Sequence, residues 1–275
     1  MMVTRKRSML LLCLAPLAIA AGCDQGVEPA ETVQSDSAAS TPPAPPQAET
    51  AAKAVSFEDK TDDYQFGYSW PAKVSAIPPL AERLANERAE SLARLKQEAE
   101  AWQREGEAQG FDAPPNAYDK EWQVVTDLPR FLSLSADIYT YSGGAHGMSV
   151  SDSLVWDRQD GKALKPTAML QSEGALDRAV QARFCEELDR QRAKKRGGPV
   201  TRSDDSFSDC IAPSANSTLI FGSSSGESFD RVGFLVPPYN AGPYAEGAYE
   251  VTLPVDAGLI DAIRPEYQRF FTPAT

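Results

Sequence analysis

Apolar and polar residues alternate along several short segments of this chain, and in longer segments an apolar residue returns every three or four positions. Alternation is typical of β-strands with one buried face. It is clearest in residues 64–70, where every second side chain is aromatic, and in residues 131–141. Five further segments alternate in the same way. The alternation therefore predicts strands over residues 64–70, 122–125, 131–141, 148–156, 217–221, 231–236 and 249–253.

The three- to four-residue spacing predicts three amphipathic helices. The first begins at Pro78 and ends near Gly110, and one stripe along it carries Leu80, Leu84, Leu92, Leu95, Ala99 and Trp102. The second is predicted over residues 174–195, and its basic end suits the negative pole of the helix dipole. The third is predicted over residues 256–271.

The elements follow one another as strand, helix, strands, helix, strands and helix, with short connections. This order predicts an α+β fold with antiparallel sheets packed against three amphipathic helices, rather than a series of parallel βαβ units. It is compatible with two strand-and-helix halves and a sub-boundary near residues 160–170, although no repeat is visible in the sequence.

The first residues have the pattern of a secretory signal. A basic segment precedes an apolar run over residues 9–21, which is too short to cross about 30 Å of hydrocarbon. Residues 20–23, Ala-Ala-Gly-Cys, resemble a bacterial lipobox, so residues 1–22 are predicted to be a lipoprotein signal peptide and Cys23 the acylated residue. The alternatives are an ordinary signal peptide or an uncleaved anchor with an incidental cysteine.

Residues 23–54 are predicted to be a disordered, lipid-anchored linker. From residue 24 onward this segment contains no aromatic residue, leucine or isoleucine, and a chain so poor in apolar groups cannot offset the entropy of ordering. The folded α+β domain is predicted over residues 55–275. We therefore expect a domain held by lipid in the bacterial cell envelope and facing the periplasm; the sequence leaves open whether the inner or the outer membrane carries it.

The chain is acidic, with a net charge of −12 at pH 7. Loss of the signal peptide would remove Arg5, Lys6 and Arg7 and no acidic residue, which makes the charge −15. Such a field repels nucleic acid and anionic lipid and attracts cationic partners. Solubility alone is the alternative explanation.

Two cysteines remain once Cys13 and Cys23 are assigned to the signal peptide and the lipid. Cys185 and Cys210 form an even pair in an oxidising compartment, which predicts a structural disulfide. A redox or metal pair would be expected to have C-x-x-C spacing or neighbouring histidines, and this pair has neither.

The only histidine, His146, lies in a glycine-rich connection between two predicted strands. Paired glycines allow a positive φ and a close approach by another group, and a histidine can donate, accept or titrate near neutral pH. The candidate binding residues are Tyr139, Tyr141, Gly143, Gly144 and His146. The alternative is a hairpin whose imidazole hydrogen-bonds the local backbone, and we prefer it because no second catalytic group can be placed beside His146.

Other chemistry is poorly supported by the sequence. Residues 222–226 match G-x-S-x-G, but His146 precedes them and a strand follows, which favours a hairpin loop over a nucleophile elbow. One histidine is too few for a usual zinc site. A glycosidase-like carboxylate pair has no fixed spacing, and the 39 acidic residues offer no basis for choosing one. We predict no catalytic residue, metal or cofactor.

Three segments together resemble a known family: residues 131–147, which end in Tyr-Ser-Gly-Gly-Ala-His-Gly, residues 154–162, and residues 236–254 with Pro-Tyr-Ala-Glu-Gly. The resemblance is to the extracytoplasmic domain shared by the anti-sigma factor RsiV and the N-terminal region of the peptidoglycan deacetylase PdaC, and it extends over residues 55–271. In RsiV this domain binds lysozyme, and in PdaC it accompanies a separate catalytic domain. Because only a short segment precedes the apolar run, RsiV-type signalling is not implied. Because the chain has a single histidine, the Asp-His-His metal set of PdaC is not implied either.

The resemblance and the charge lead to one preferred hypothesis and two alternatives. The first is a lipid-anchored envelope module, more a binder than an enzyme, whose partner is a cationic lysozyme-like wall hydrolase or peptidoglycan. It contacts the membrane through lipid on Cys23 and binds no nucleic acid. The second is a carboxylate-dependent enzyme acting on cell-wall or carbohydrate material. The third is a purely structural envelope protein.

Overall fold

A six-stranded sheet forms the N-terminal part of the domain. The computed structural model describes residues 51–203 and 207–274, so the predicted signal peptide, the predicted lipidation site Cys23 and most of the predicted linker lie outside the described residues. The strands are adjacent in sequence order. The elements are β1 (Val55–Lys60), β2 (Tyr64–Trp70), α1 (Ala72–Ser75), α2 (Pro78–Gln109), β3 (Asn116–Asp127), β4 (Phe131–Tyr141), β5 (Met148–Asp157) and β6 (Lys162–Leu164).

One pairing in this sheet departs from the expected antiparallel arrangement. β2 and β3 are parallel, whereas every other neighbouring pair in the described sheet is antiparallel. The reason is the 32-residue helix α2, which carries the chain back along the sheet so that β3 starts at the same end as β2. The α+β class is confirmed, and the expectation of purely antiparallel sheets is wrong at this pair.

Helix α2 covers one face of the sheet. Its leucine stripe packs against the aromatic side chains of β2, and the indole of Trp122 donates a hydrogen bond to the Tyr68 hydroxyl at 3.0 Å. Gly110 ends the helix with a φ of 76°, a left-handed conformation that glycine adopts without strain. This layer forms the first of two hydrophobic cores.

The second core lies between helix α3 and a three-stranded antiparallel sheet. Phe184 of the helix packs edge-on against Phe234 of the sheet, with ring centroids 5.3 Å apart. Phe131 and Val155 of the larger sheet also join this core. The elements are α3 (Glu173–Arg196), α4 (Pro213–Asn216), β7 (Thr218–Gly222), β8 (Arg231–Val236) and β9 (Tyr249–Pro254).

The predicted disulfide is present between Cys185 and Cys210. It joins α3 to the loop before α4, and the two Cα atoms are 5.4 Å apart. The G-x-S-x-G segment at residues 222–226 connects the antiparallel strands β7 and β8, and the Ser224 hydroxyl donates to the Asp230 carboxylate. This is a hairpin loop and not the strand-to-helix turn of a nucleophile elbow.

The third predicted helix, over residues 256–271, is wrong as a single element. The chain forms two short helices instead, α5 (Ala257–Ala262) and α6 (Pro265–Gln268). Pro265 has no N–H to continue a helix and disfavours the helical conformation at Arg264, which is extended. Ile263, between the two helices, is buried and forms a β-bridge with Leu170. The apolar residues that suggested one helix are therefore buried on two separate helices and on the extended residues between them.

Candidate functional site

The hairpin between β4 and β5 requires its two glycines. Gly143 and Gly144 have φ values of 96° and 94°, which side chains with a Cβ rarely adopt. Gly143 also lies close to the ring of Trp102 near the end of α2, where a Cβ would stand 2.8 Å from a ring carbon. The Tyr141 hydroxyl donates to the Gly144 carbonyl at 2.9 Å. The tip of the hairpin is therefore held from both sides.

His146 joins this hairpin to a distant part of the chain. Its Nδ1 donates to the Gly147 carbonyl at 3.0 Å, so the Nε2 of a neutral ring accepts from the Tyr239 hydroxyl at 3.1 Å. The imidazole also stacks on the ring of Tyr244. His146 thus makes the local backbone contact that the structural interpretation predicted and, in addition, contacts to two tyrosines that the sequence did not predict.

The tyrosines belong to residues 237–248, which we call the anchored segment because the basic end of α3 holds them. Arg196 forms a two-point ion pair with Glu246, at 2.8 Å from Nε and 3.0 Å from Nη2. Lys195 donates to the carbonyls of Glu246 and Ala248 at 2.7 and 2.6 Å. These cations were predicted only to suit the helix dipole; in the structure they fix a loop.

The contacts between α3 and the anchored segment also change the acid–base properties of Glu246. Burial disfavours its ionised form, but hydrogen bonds from Arg196 and Tyr249 outweigh burial, so the pKa of Glu246 is lowered. Burial together with the neighbouring Glu246 carboxylate raises the pKa of Tyr249 to about 12. At neutral pH, Glu246 is therefore an anion between a guanidinium and a phenol, which is a rigid arrangement.

Three exposed carboxylates lie on the face of the six-stranded sheet that α2 does not cover. They are Asp119 and Glu121 on β3 and Asp137 on β4, and we call them the acidic sheet face. Lys120, between the first two, points to the opposite face and pairs with Glu87 of α2. Glu121 and Asp137 are direct cross-strand partners. Like charges in this arrangement destabilise a sheet.

The acidic sheet face has few partners of its own. The Gln123 amide donates to Asp137 at 3.3 Å, and the ion pairs found within residues 51–203 and 207–274 do not include these three carboxylates. The same residues contain no group of three or more His, Cys, Asp or Glu side chains that could hold a metal ion. The acidic sheet face therefore presents negative charge to solvent.

A groove of about 180 Å³ runs between the acidic sheet face and the anchored segment. Tyr139, which is 40% exposed, lines the groove, and Pro237 and Ala248 of the anchored segment line it too. The groove is open, and its lining combines carboxylates, hydroxyls and one aromatic ring with apolar side chains such as Val150 and Ala248. Its lining includes Asp119, Glu121, Asp137, Tyr139, Ser149 and Pro237.

The candidate residues from the sequence lie at one end of this site. Tyr139, Tyr141, Gly143, Gly144 and His146 are on β4 or the following hairpin, and Tyr139 and His146 are exposed. Sequence reasoning missed the acidic sheet face and the anchored segment. The available signals were the acidic residues on alternate positions of β3 and a Pro-Pro-Tyr-Asn turn with tyrosine where glycine is usual.

Residues 57–149 match the family model of deacetylase PdaC. The predicted resemblance is thereby confirmed for this part of the chain, which includes β2–β4 and the hairpin loop with His146 but ends at the start of β5, before the anchored segment. The match fits an extracytoplasmic domain. None of the helices in the described ranges combines the length and apolar character that a membrane crossing requires.

Solved structures of other proteins are similar to this chain, two of them from the DUF3298 family, whereas no curated protein matches it. One is a crystal structure of a DUF3298 family member from Bacteroides fragilis, 16% identical, with a TM-score of 0.46, covering 74% of this chain and 90% of that one. The other is a DUF3298 family protein from Pseudomonas aeruginosa, 17% identical, also with a TM-score of 0.46, covering 82% of this chain and 98% of that one.

Proposed function

We propose that this protein is a binding module of the bacterial cell envelope, anchored by lipid on Cys23, whose partner is a cationic protein such as a lysozyme-like wall hydrolase. The observation that carries the proposal is the acidic sheet face, three exposed carboxylates on a rigid sheet beside a groove with an exposed tyrosine. A basic protein surface has the complementary charge. The family match at residues 57–149 supports an extracytoplasmic location.

The energetics of the acidic sheet face favour a cationic ligand. Glu121 and Asp137 repel each other across the two strands, so an ammonium or guanidinium group placed between them relieves repulsion as well as forming new ion pairs. The net negative charge, −15 once the predicted signal peptide is removed, extends the attraction to longer range and speeds encounter at low salt. Exposed tyrosines add the aromatic contact area that is common at protein interfaces.

The described carboxyl groups whose pKa is shifted are better suited to ion pairing than to acid catalysis. A glycosidase needs one carboxylic acid that stays protonated near neutral pH, and burial raises its pKa for that purpose. The shifts found among the described carboxyl groups go the other way, as at Asp157 and Glu246, whose ion pairs and hydrogen bonds outweigh burial and lower the pKa. We therefore propose no catalytic role.

The test uses the full-length lipoprotein extracted in mild detergent and a cationic lysozyme as the probe. We expect saturable binding that weakens between about 50 and about 300 mM salt, as screening predicts. The double variant Glu121→Gln/Asp137→Asn should bind less tightly, by roughly tenfold. The matched control is Glu82→Gln/Glu90→Gln, which removes the same charge from exposed positions of α2 on the opposite face.

Two results would contradict the proposal. Binding to purified peptidoglycan with none to lysozyme would make the partner a glycan. Equal loss of lysozyme affinity in the test pair and the control pair would show that only the net charge matters, and not the acidic sheet face.

A further inference from the structure

The anchored segment begins with a turn that places a tyrosine in an unfavourable conformation. Residues 237–240, Pro-Pro-Tyr-Asn, form a turn closed by the Asn240 amide, which donates to the Pro237 carbonyl at 3.3 Å. Tyr239 is the third residue of this turn and has a φ of 74°. That position of a type II turn requires a positive φ, and glycine or asparagine is the usual residue there. A side chain with a β-carbon is strained in this region.

Several contacts keep the turn in this conformation. The Tyr239 amide donates to the Gly242 carbonyl at 3.1 Å, and the Asn240 side chain donates to the Asn216 carbonyl at 3.1 Å. The buried Arg192 of α3 donates through Nε to the Ala241 carbonyl at 2.9 Å. Strained residues persist where the surroundings determine the backbone in this way, and they are concentrated at functional sites.

The ring of Tyr239 is partly open to solvent. Tyr239 is 44% exposed, and its ring lies 5.7 Å from that of Tyr244 and 6.2 Å from that of His146. Glycine would make the same turn without strain, whereas the tyrosine gains one hydrogen bond to His146 and leaves 44% of its surface exposed. Packing alone therefore does not explain why the turn carries a tyrosine.

We propose that Tyr239 is the anchor residue of the binding surface and that its exposed ring face receives an arginine side chain of the cationic partner. This inference rests on the proposed function. A guanidinium group stacks on an aromatic face and is simultaneously attracted by nearby carboxylates. Tyr239 follows Pro237, which lines the groove beside the acidic sheet face, by two residues. A preordered ring lowers the entropy that binding must overcome.

The decisive variants separate strain from recognition. Tyr239→Gly and Tyr239→Asn both accept a positive φ and remove the ring, whereas Tyr239→Phe keeps the ring and loses only the hydroxyl contact with His146. For the glycine and asparagine variants of the full-length protein, we expect an unchanged or higher melting temperature. Their affinity for cationic lysozyme should fall by roughly tenfold or more, as at an interface hot spot. The phenylalanine variant should bind within about threefold of wild type.

Other outcomes would overturn the inference. Tyr239 is a structural residue if the glycine and asparagine variants melt at lower temperature and their loss of affinity is no larger than the loss of folded protein. It is also structural if these variants bind lysozyme as tightly as wild type does. The proposed function fails separately: in that case wild-type protein does not bind lysozyme at all. If wild type binds lysozyme and Glu121→Gln/Asp137→Asn weakens binding while Tyr239→Gly does not, the proposed binding function is supported and only the proposed role of Tyr239 is wrong.

Discussion

The imidazole of His146 stacks on the phenol ring of Tyr244, with centroids 3.7 Å apart and planes 15° from parallel. The two residues come from two of the segments that suggested the family resemblance, and nearly a hundred residues separate them in sequence. The contact joins the hairpin of the six-stranded sheet to the segment that α3 anchors. A geometry this close holds the two segments together on one surface of the domain.

Replacement of His146 by alanine tests how much this contact contributes. We expect the free energy of unfolding to fall by about 1–2 kcal/mol, because a ring stack and exposed hydrogen bonds are lost. His146→Phe should recover about half of the loss, because it keeps the stack. Urea unfolding of the three proteins measures both values. An alanine variant as stable as wild type would refute the structural interpretation of this histidine and leave only a role in recognition.

The sequence predicted the hairpin strands well because their pattern is local. β4 was predicted with its observed bounds, Phe131–Tyr141, since alternation alone determines which face is buried. The first half of β3 was missed because Lys120 is buried at a position where an apolar residue was expected. Its burial depends on Glu87 and Asp152, each more than thirty residues away, and no local pattern reveals such partners.

The site was harder to predict for the same reason. Its hairpin was recognisable from paired glycines and a single histidine, but Tyr239 and Tyr244 approach His146 only because the basic end of α3 holds the anchored segment in place. Arg196 forms an ion pair with Glu246, which is fifty residues later in the chain. A contact of this kind needs the tertiary fold, whereas the strain at Tyr239 was visible only as a turn with an unusual residue.

Removal of the Cys185–Cys210 disulfide should destabilise the domain without changing its fold. The double variant Cys185→Ala/Cys210→Ala frees a loop of 25 residues in the unfolded chain, which costs about 3 kcal/mol in the loop-entropy model. Urea unfolding measures the loss, and reduction of the wild type by dithiothreitol should reproduce most of it. Two reactive thiols in native protein purified from the periplasm, without reductant, would contradict this pairing.

The buried ion pair between Asp157 and Arg130 should make stability depend on pH. Asp157 is 1% exposed and accepts hydrogen bonds from Arg130 on both oxygens, from Nη2 at 2.7 Å on Oδ2 and from Nε at 3.1 Å on each. Burial opposes ionisation, but Arg130 and nearby backbone amides outweigh it, so the pKa of Asp157 lies below its usual 3.8. A lowered pKa stabilises the folded state above the usual value, and this contribution disappears as the pH falls through the lowered value.

Asp157→Asn should therefore cost about 3 kcal/mol at pH 7, because it leaves a partly buried guanidinium without its charge partner. The difference from wild type should shrink as the pH is lowered below the usual 3.8 of Asp157. Asp160→Asn is the matched control, since Asp160 is half exposed and lies 3.7 Å from the same arginine. Urea titrations across this pH range check the slope, and an equal cost for both variants would contradict the prediction.

The two hairpin glycines should differ in their tolerance of alanine although their backbones are alike. Gly144→Ala adds only the strain of a positive φ, about 1 kcal/mol, since no atom lies within 4 Å of the added carbon. Gly143→Ala adds the same strain and a collision with the ring of Trp102, whose indole is fixed by a hydrogen bond to the Pro114 carbonyl. Overpacking of this kind costs about 1–3 kcal/mol more.

The source of that excess can be identified in a second background. In a Trp102→Ala protein the ring is absent, so Gly143→Ala and Gly144→Ala should then cost the same free energy of unfolding, within about 0.5 kcal/mol. An excess that persists without Trp102 would show that the backbone at Gly143, and not the close approach of the α2 indole, makes this position intolerant. The comparison therefore measures directly how firmly the end of α2 holds the hairpin that carries His146.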